Sequence, residues 1–160
     1  MEQKSNRAGR AGHEDKYSFR NLLLWKKGQA VALQVVKMTE RLPDTIAARV
    51  LARQIVAAAG SVPANIAEGH GRYSRAAYRN HLSIARGSVC EVETWIDLLA
   101  RAAYIPADLA GDLAARCNEI LAGLTSQMRA LERKLRSDGS PRVSDDSAEY
   151  LISPELRPDD

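Results

Sequence analysis

Three observations predict an all-α fold for this chain, an antiparallel up-and-down four-helix bundle. Between Leu22 and Arg136 no segment alternates apolar and polar residues with period two. Apolar residues recur instead at spacings of three and four, and Ala, Leu and Arg, all helix formers, dominate. Breaks at Leu42-Pro43-Asp44, Gly69-His70-Gly71 and Tyr104-Ile105-Pro106 leave four segments joined by turns short enough for antiparallel neighbours. Helices are expected near residues 20–41, 44–68, 74–103 and 107–136. The bundle domain spans 19–136, with disordered tails over 1–18 and 137–160, the second rich in Ser, Pro and Asp. With 45% hydrophobic residues in 160, the chain can bury a core without metals or disulfides.

Helix one carries two apolar stripes. Leu22, Trp25, Ala32, Leu33 and Val36 form the first; Leu24, Val31, Val35 and Met38 form the second. Together they cover more of the circumference than a bundle helix needs, so the second stripe is expected at a subunit interface, making the protein a homo-oligomer. Helix two starts with Asp44 as N-cap and turns Leu51, Ile55, Val62 and Ile66 to the core. Beside that face Gln54, Ser61, Asn65 and Glu68 form a polar stripe, which needs partners and is expected to lock helix two to helix three through Tyr78 or His81. Pro63 removes the donor for the Ala59 carbonyl and should kink the helix, with Ser61 placed to relieve the defect.

Helix three opens with Ser74 as N-cap. Arg75, Arg79 and Arg86 then share a face, with Arg72 just before it, and the face turns acidic at Glu93 and Asp97. Helix four, with Asp108 as its expected N-cap, has one seam of Leu113, Cys117, Ile120, Leu124, Met128, Leu131 and Leu135. Its basic end, Arg129, Arg133, Lys134 and Arg136, suits the negative end of the helix dipole.

Charge is distributed unevenly. From Tyr17 to Arg136 there are seventeen Lys and Arg against ten Asp and Glu, whereas Ser137 to Asp160 holds seven acidic residues and two basic ones. A basic body favours a polyanionic partner. A helix start offers unpaired N–H groups and a positive dipole end, so Arg72, Arg75, Arg79 and Arg86 form a candidate phosphate site, extended by Arg49 and Arg53. RNA or DNA is the expected partner, bound electrostatically, because few aromatics are available to stack on bases.

Catalytic patterns are missing from the sequence. His13, His70 and His81 form neither H-E-x-x-H nor the Glu-x-x-His spacing of di-iron bundles, and there is no P-loop, dinucleotide fingerprint or nucleophile elbow. No cofactor and no metal are expected. Cys90 and Cys117 match no zinc or redox spacing and suggest a reducing compartment. The first sixteen residues lack the apolar core of a signal peptide, and the uncharged run from Ile55 to Ala64 is too short to span a bilayer. A cytoplasmic protein without a membrane partner is expected.

The run from Ser61 through Pro63, Asn65, Glu68 and Gly69 to Arg72, followed by Ile84-Ala85-Arg86-Gly87-Ser88 and Glu91, closely resembles the 23S rRNA-intervening sequence proteins. With the Leu-Trp start of helix one, Leu42-Pro43 and Gln54-Ile55, the resemblance covers about residues 19–134. That family is in turn similar to the accessory variability determinants (Avd) of diversity-generating retroelements, which form homopentamers with a basic surface and bind nucleic acid and a reverse transcriptase. The resemblance implies up-and-down subunits, a pentameric ring and a non-enzymatic role. Where the family has an acidic residue near the start of helix three, this chain has Ala76 and Ala77, which removes the capping-box pair and makes the site more basic.

Overall fold

The computed structural model describes residues 18–138. After a 3-10 turn, Phe19–Asn21, come α1 (Leu23–Thr39), α2 (Ile46–His70), α3 (Arg75–Arg101) and α4 (Ala107–Ser137). The chain is an all-α four-helix bundle. α2 packs between α1 and α3, α3 between α2 and α4, and α4 closes against α1. The expected disordered tails lie outside the described residues except at their edges, where Ser18 caps the 3-10 turn, Ser137 ends α4 and Asp138 caps it.

Each helix begins where a local donor or acceptor permits it. α2 starts later than expected. Thr45, not Asp44, is its N-cap, accepting from the Ala48 N–H at 3.1 Å, while Asp44 pairs with Arg49. Ser74 caps α3 as its sequence position predicts, accepting from Ala77 N–H at 3.1 Å. α4 has Pro106 at its N-cap; Asp108 sits inside the first turn, where its charge meets the positive dipole end. α2 runs on to His70 and stops at Gly71, so Gly69 belongs to the helix instead of breaking it. α3 ends through Ala103, held at φ 55°, with the Tyr104 N–H donating to the Leu99 carbonyl at 2.9 Å, a terminator that usually uses glycine.

The core is one layer of aliphatic side chains from all four helices: Val35, Ile55, Ile66, Leu82, Val92, Leu99, Leu113 and Leu124 are fully buried among them. Cys117 lies in the same layer, where burial pushes its thiol up to about 12, removing it as a nucleophile. α2 continues across Pro63, which faces Gly28 of α1, and the Ser61 hydroxyl is engaged with α3 instead of relieving the defect at Ala59.

The assignment of the two stripes of α1 requires correction. Val31, Val35 and Met38 are only 4%, 0% and 5% exposed, inside the subunit, and Leu24 packs on Gly123 of α4. Side chains that fill the core cannot also meet another copy, so this stripe is not a subunit interface. Leu22, Trp25 and Ala32 of the first stripe are half-buried against the core, and Leu33 and Val36 are exposed. α2 also carries exposed apolar residues. By length and composition that helix could cross a bilayer, yet here it lines the core with one face, and only 33% of its most apolar stretch is buried. Its outer side presents Ile46 (76% exposed), Val50 (50%), Ala57, Gly60 and Ala64.

Candidate nucleic-acid interface

The antiparallel order decides which residues meet. Ser61 and Gly69 of α2 lie against Ser88 and Tyr78 of α3, Tyr78 bonds Gln127 of α4, and Lys27 of α1 bonds Glu119. One end of the bundle therefore collects the start of α1, the end of α2, the start of α3 and the end of α4.

The polar stripe of α2 joins α3. Asn65 Nδ2 donates to Ser61 Oγ at 3.0 Å, and the Ser88 hydroxyl bonds Ser61 Oγ at 2.9 Å and the Ile84 carbonyl at 3.1 Å. With Asn65 Nδ2 committed, its Oδ1 accepts, so His81 carries the proton on Nδ1 and donates to it at 3.4 Å; His81 Nε2 lies 3.8 Å from Glu68. Gln54, placed in the same stripe by spacing, is exposed and outside this network. Below the network Gly69 lets the helices touch, since a Cβ there would lie 2.7 Å from His81 Cβ. The Tyr78 hydroxyl accepts from Gln127 at 2.9 Å, and burial, against that bond, pushes its pKa up.

The six arginines singled out from sequence do not form one surface. Arg72, Arg75 and Arg79 do meet at the end just described, but each faces a carboxylate. Arg72 pairs with Glu68, Arg75 with Asp138, and Arg79 lies 4.0 Å from Glu132. Arg79 is 18% exposed, and its Nε is buried without a partner among the described residues, so it packs between α3 and α4 and offers little to a ligand. Arg86 is exposed about 10 Å further along α3. Arg49 and Arg53 sit near the start of α2, and Arg53 is about 28 Å along the helix axis from Arg72, at the opposite end of the molecule.

In their place the fold supplies α4. Its last turns, with Arg129, Arg133, Lys134 and Arg136, run beside the first turns of α3. Arg129, Arg133 and Lys134 are exposed with no ion-pair partner among the described residues, and Arg136 lies 3.7 Å from Glu132. Spacing linked these four only to the dipole of their own helix. Yet antiparallel neighbours largely cancel each other's dipoles, so the potential at this end is set by side chains. Lys26 and Lys27 at the start of α1 add to it, Lys27 paired with Glu119 at 2.7 Å. The short turn between helices three and four was the signal that could have linked the two clusters. Among the described residues no group of three or more His, Cys, Asp or Glu is placed to hold a metal ion.

Comparison with known proteins gives a family match and matches among solved structures. The family described as 23S rRNA-intervening sequence protein matches residues 20–126. A solved structure from Bacteroides thetaiotaomicron, a protein of unknown function from the S23 ribosomal protein family, is similar with 29% identity and a TM-score of 0.63. The match covers 66% of this chain and 98% of that one. No curated protein matches the chain.

Proposed function

This chain belongs to the family of 23S rRNA-intervening sequence proteins, and from that premise we propose that it is a non-enzymatic, oligomeric accessory protein that binds RNA or DNA through the basic end of its bundle. The observation that carries this reading is the convergence of Arg72 and Arg75 with Arg129, Arg133, Lys134 and Arg136 from two antiparallel helices. Exposed ion pairs such as Arg72 with Glu68 are worth little, roughly 0–1 kcal/mol, and exchange readily for phosphate oxygens. Guanidinium groups suit phosphate through paired N–H donors. Tyr73, fully exposed between Arg72 and Arg75, offers this cluster a single ring for stacking, so contact is mainly to the backbone and only weakly dependent on sequence. The resemblance to the Avd proteins supports a pentamer, and the outer side of α2 supports a contact between copies, since Ile46 and Val50 present apolar surface there and Ala57, Gly60 and Ala64, further along the same side, let a second helix approach closely. The same apolar side favours the alternative reading, a scaffold that docks a reverse transcriptase or another protein without touching nucleic acid.

Charge reversal separates the two readings. Arg129→Glu with Arg133→Glu removes two exposed cations that hold nothing in the fold, whereas reversal at Arg75 and Arg79 would also break contacts between α3 and α4. The first pair should weaken affinity for a labelled poly(U) oligonucleotide and for a DNA duplex about tenfold or more, and each lost contact should cut the salt slope by about one. Lys37→Glu with Arg41→Glu, exposed at the far end, should leave both unchanged. Equal effects of the two pairs would reject the basic end as the site.

A further inference from the structure

The basic end is also where the chain leaves the fold. α4 ends at Ser137, and the next residue, Asp138, is already ion-paired with Arg75 at the start of α3. The sequence that follows, residues 139–160, carries Asp145, Asp146, Glu149, Glu155, Asp159 and Asp160 against only Arg142 and Arg157. Asp145 is seven residues past Asp138, a reach of up to roughly 25 Å when extended. Arg129 is nine residues back along α4, about 14 Å away along the helix axis. The nearest acidic pair of the segment can therefore reach Arg129, Arg133, Lys134 and Arg136, the carboxylates from Glu149 onward can also reach Lys26 and Lys27, and neither Asp145 nor Asp146 can reach Arg49 at the other end. Tethering so short a segment holds it at about millimolar effective concentration beside the site.

We propose that the acidic segment 139–160 is an internal occupant of the basic end, continuing the Asp138–Arg75 contact onto Arg129, Arg133 and Lys134 and competing there with the nucleic-acid backbone. This regulation rests on the nucleic-acid reading for its consequence, and on charge and tethering for the contact itself. Because the pairs are exposed, the contact is reversible and salt-sensitive, so the segment tunes affinity instead of abolishing it. A polyanion long enough to engage several subunits displaces it, since each copy of the segment contributes only its own few carboxylates.

The test uses the full chain, with the six tail carboxylates changed together to Asn and Gln, beside the unaltered protein. A zero-length carbodiimide cross-linker, which joins carboxylates to lysine amines, reads the contact without any nucleic acid. The Lys27–Glu119 pair, 2.7 Å apart, serves as the internal positive control. In the unaltered protein at low salt, tail carboxylates should join Lys134 and Lys26 but not Lys37 at the far end of α1, and these links should fade as salt rises. In parallel the neutralised-tail protein should bind a labelled poly(U) oligonucleotide about three- to tenfold more tightly at low salt, with the difference gone at about 0.5 M. Tail links spread evenly over Lys37 and Lys134, or equal poly(U) affinity in the two proteins, would overturn the proposal. Links confined to Lys134 and Lys26 with no poly(U) binding by either protein would leave the contact standing and remove the nucleic-acid reading.

Discussion

A methyl group at position 69 would lie 2.7 Å from His81 Cβ and 2.9 Å from Tyr78 Cδ2, atoms that cannot swing away because they belong to the stem of one side chain and the ring of another. At Gly60 and Gly87 a methyl would meet nothing within 4 Å. Gly69→Ala should therefore destabilise the fold by about 1–3 kcal/mol, by prising α2 from α3. Gly87→Ala should stabilise it by about 0.5–1 kcal/mol, as the loss of chain entropy in an open helix position requires. Urea unfolding of the two variants checks both signs, and a stabilised Gly69→Ala would show that α2 and α3 do not touch there. The polar stripe was legible because Ser61 and Asn65, at i and i+4, stand beside Val62 and Ile66. Gly69 was not, since glycine both ends helices and permits close approach, and spacing cannot choose between the two. Asp44 and Thr45 are a similar case, both being good caps, with the choice falling to whichever side chain the turn aims at the Ala48 N–H.

α1 shows why an element can be placed correctly and still be given the wrong face. Its two stripes are comparably apolar, and the amphipathic pattern gives no reason to prefer one for the core. The helix lies in a groove between α2 and α4, so a wide face is covered and the supposed surplus is spent inside the subunit. Its hold on α4 is partly electrostatic. The Asp112 carboxyl is kept below its usual range first by the hydrogen bond from Arg116 and then by that from Gln34 of α1, and Glu119 by the hydrogen bond from Lys27. A carboxylate whose pKa is depressed in the fold stabilises it above the unfolded value and loses that contribution as pH falls through the folded one. Starting from ordinary values of 3.8 and 4.5, loss is confined to acid solution. Hydrogen exchange should show α1 amides losing protection ahead of α2 and α3 below about pH 4. Protection lost first in α3 would contradict this order. Burial, by contrast, holds the Cys117 thiol neutral throughout, leaving exposed Cys90 as the thiol open to reagents.

At the scale of the molecule, the fold class and the breaks at Pro43 and Pro106 were legible because period, composition and those proline positions agreed with one another, while the glycine-marked break falls at Gly71, two residues after Gly69. The site was half legible. Arg72 and Arg75 cluster in sequence, but whether Arg49 or Arg129 joins them depends on which helix ends share a pole of the bundle, and no spacing within one helix records that. With antiparallel order known, the basic residues divide cleanly, α4 joining α3 and Arg49 and Arg53 falling at the other end. The account's central claim is that this pole binds nucleic-acid phosphate, with several subunits acting together. It is tested most directly by the dependence of oligonucleotide affinity on salt for the assembled protein. If each of five subunits neutralises two phosphates, log affinity should fall against log salt with a slope of about −7 to −9. A single subunit binding alone would give a slope of only about −1.4 to −1.8 and would leave the claim of joint action without support. Affinity that stays flat between low and high salt, or no binding at low salt, would contradict the claim outright.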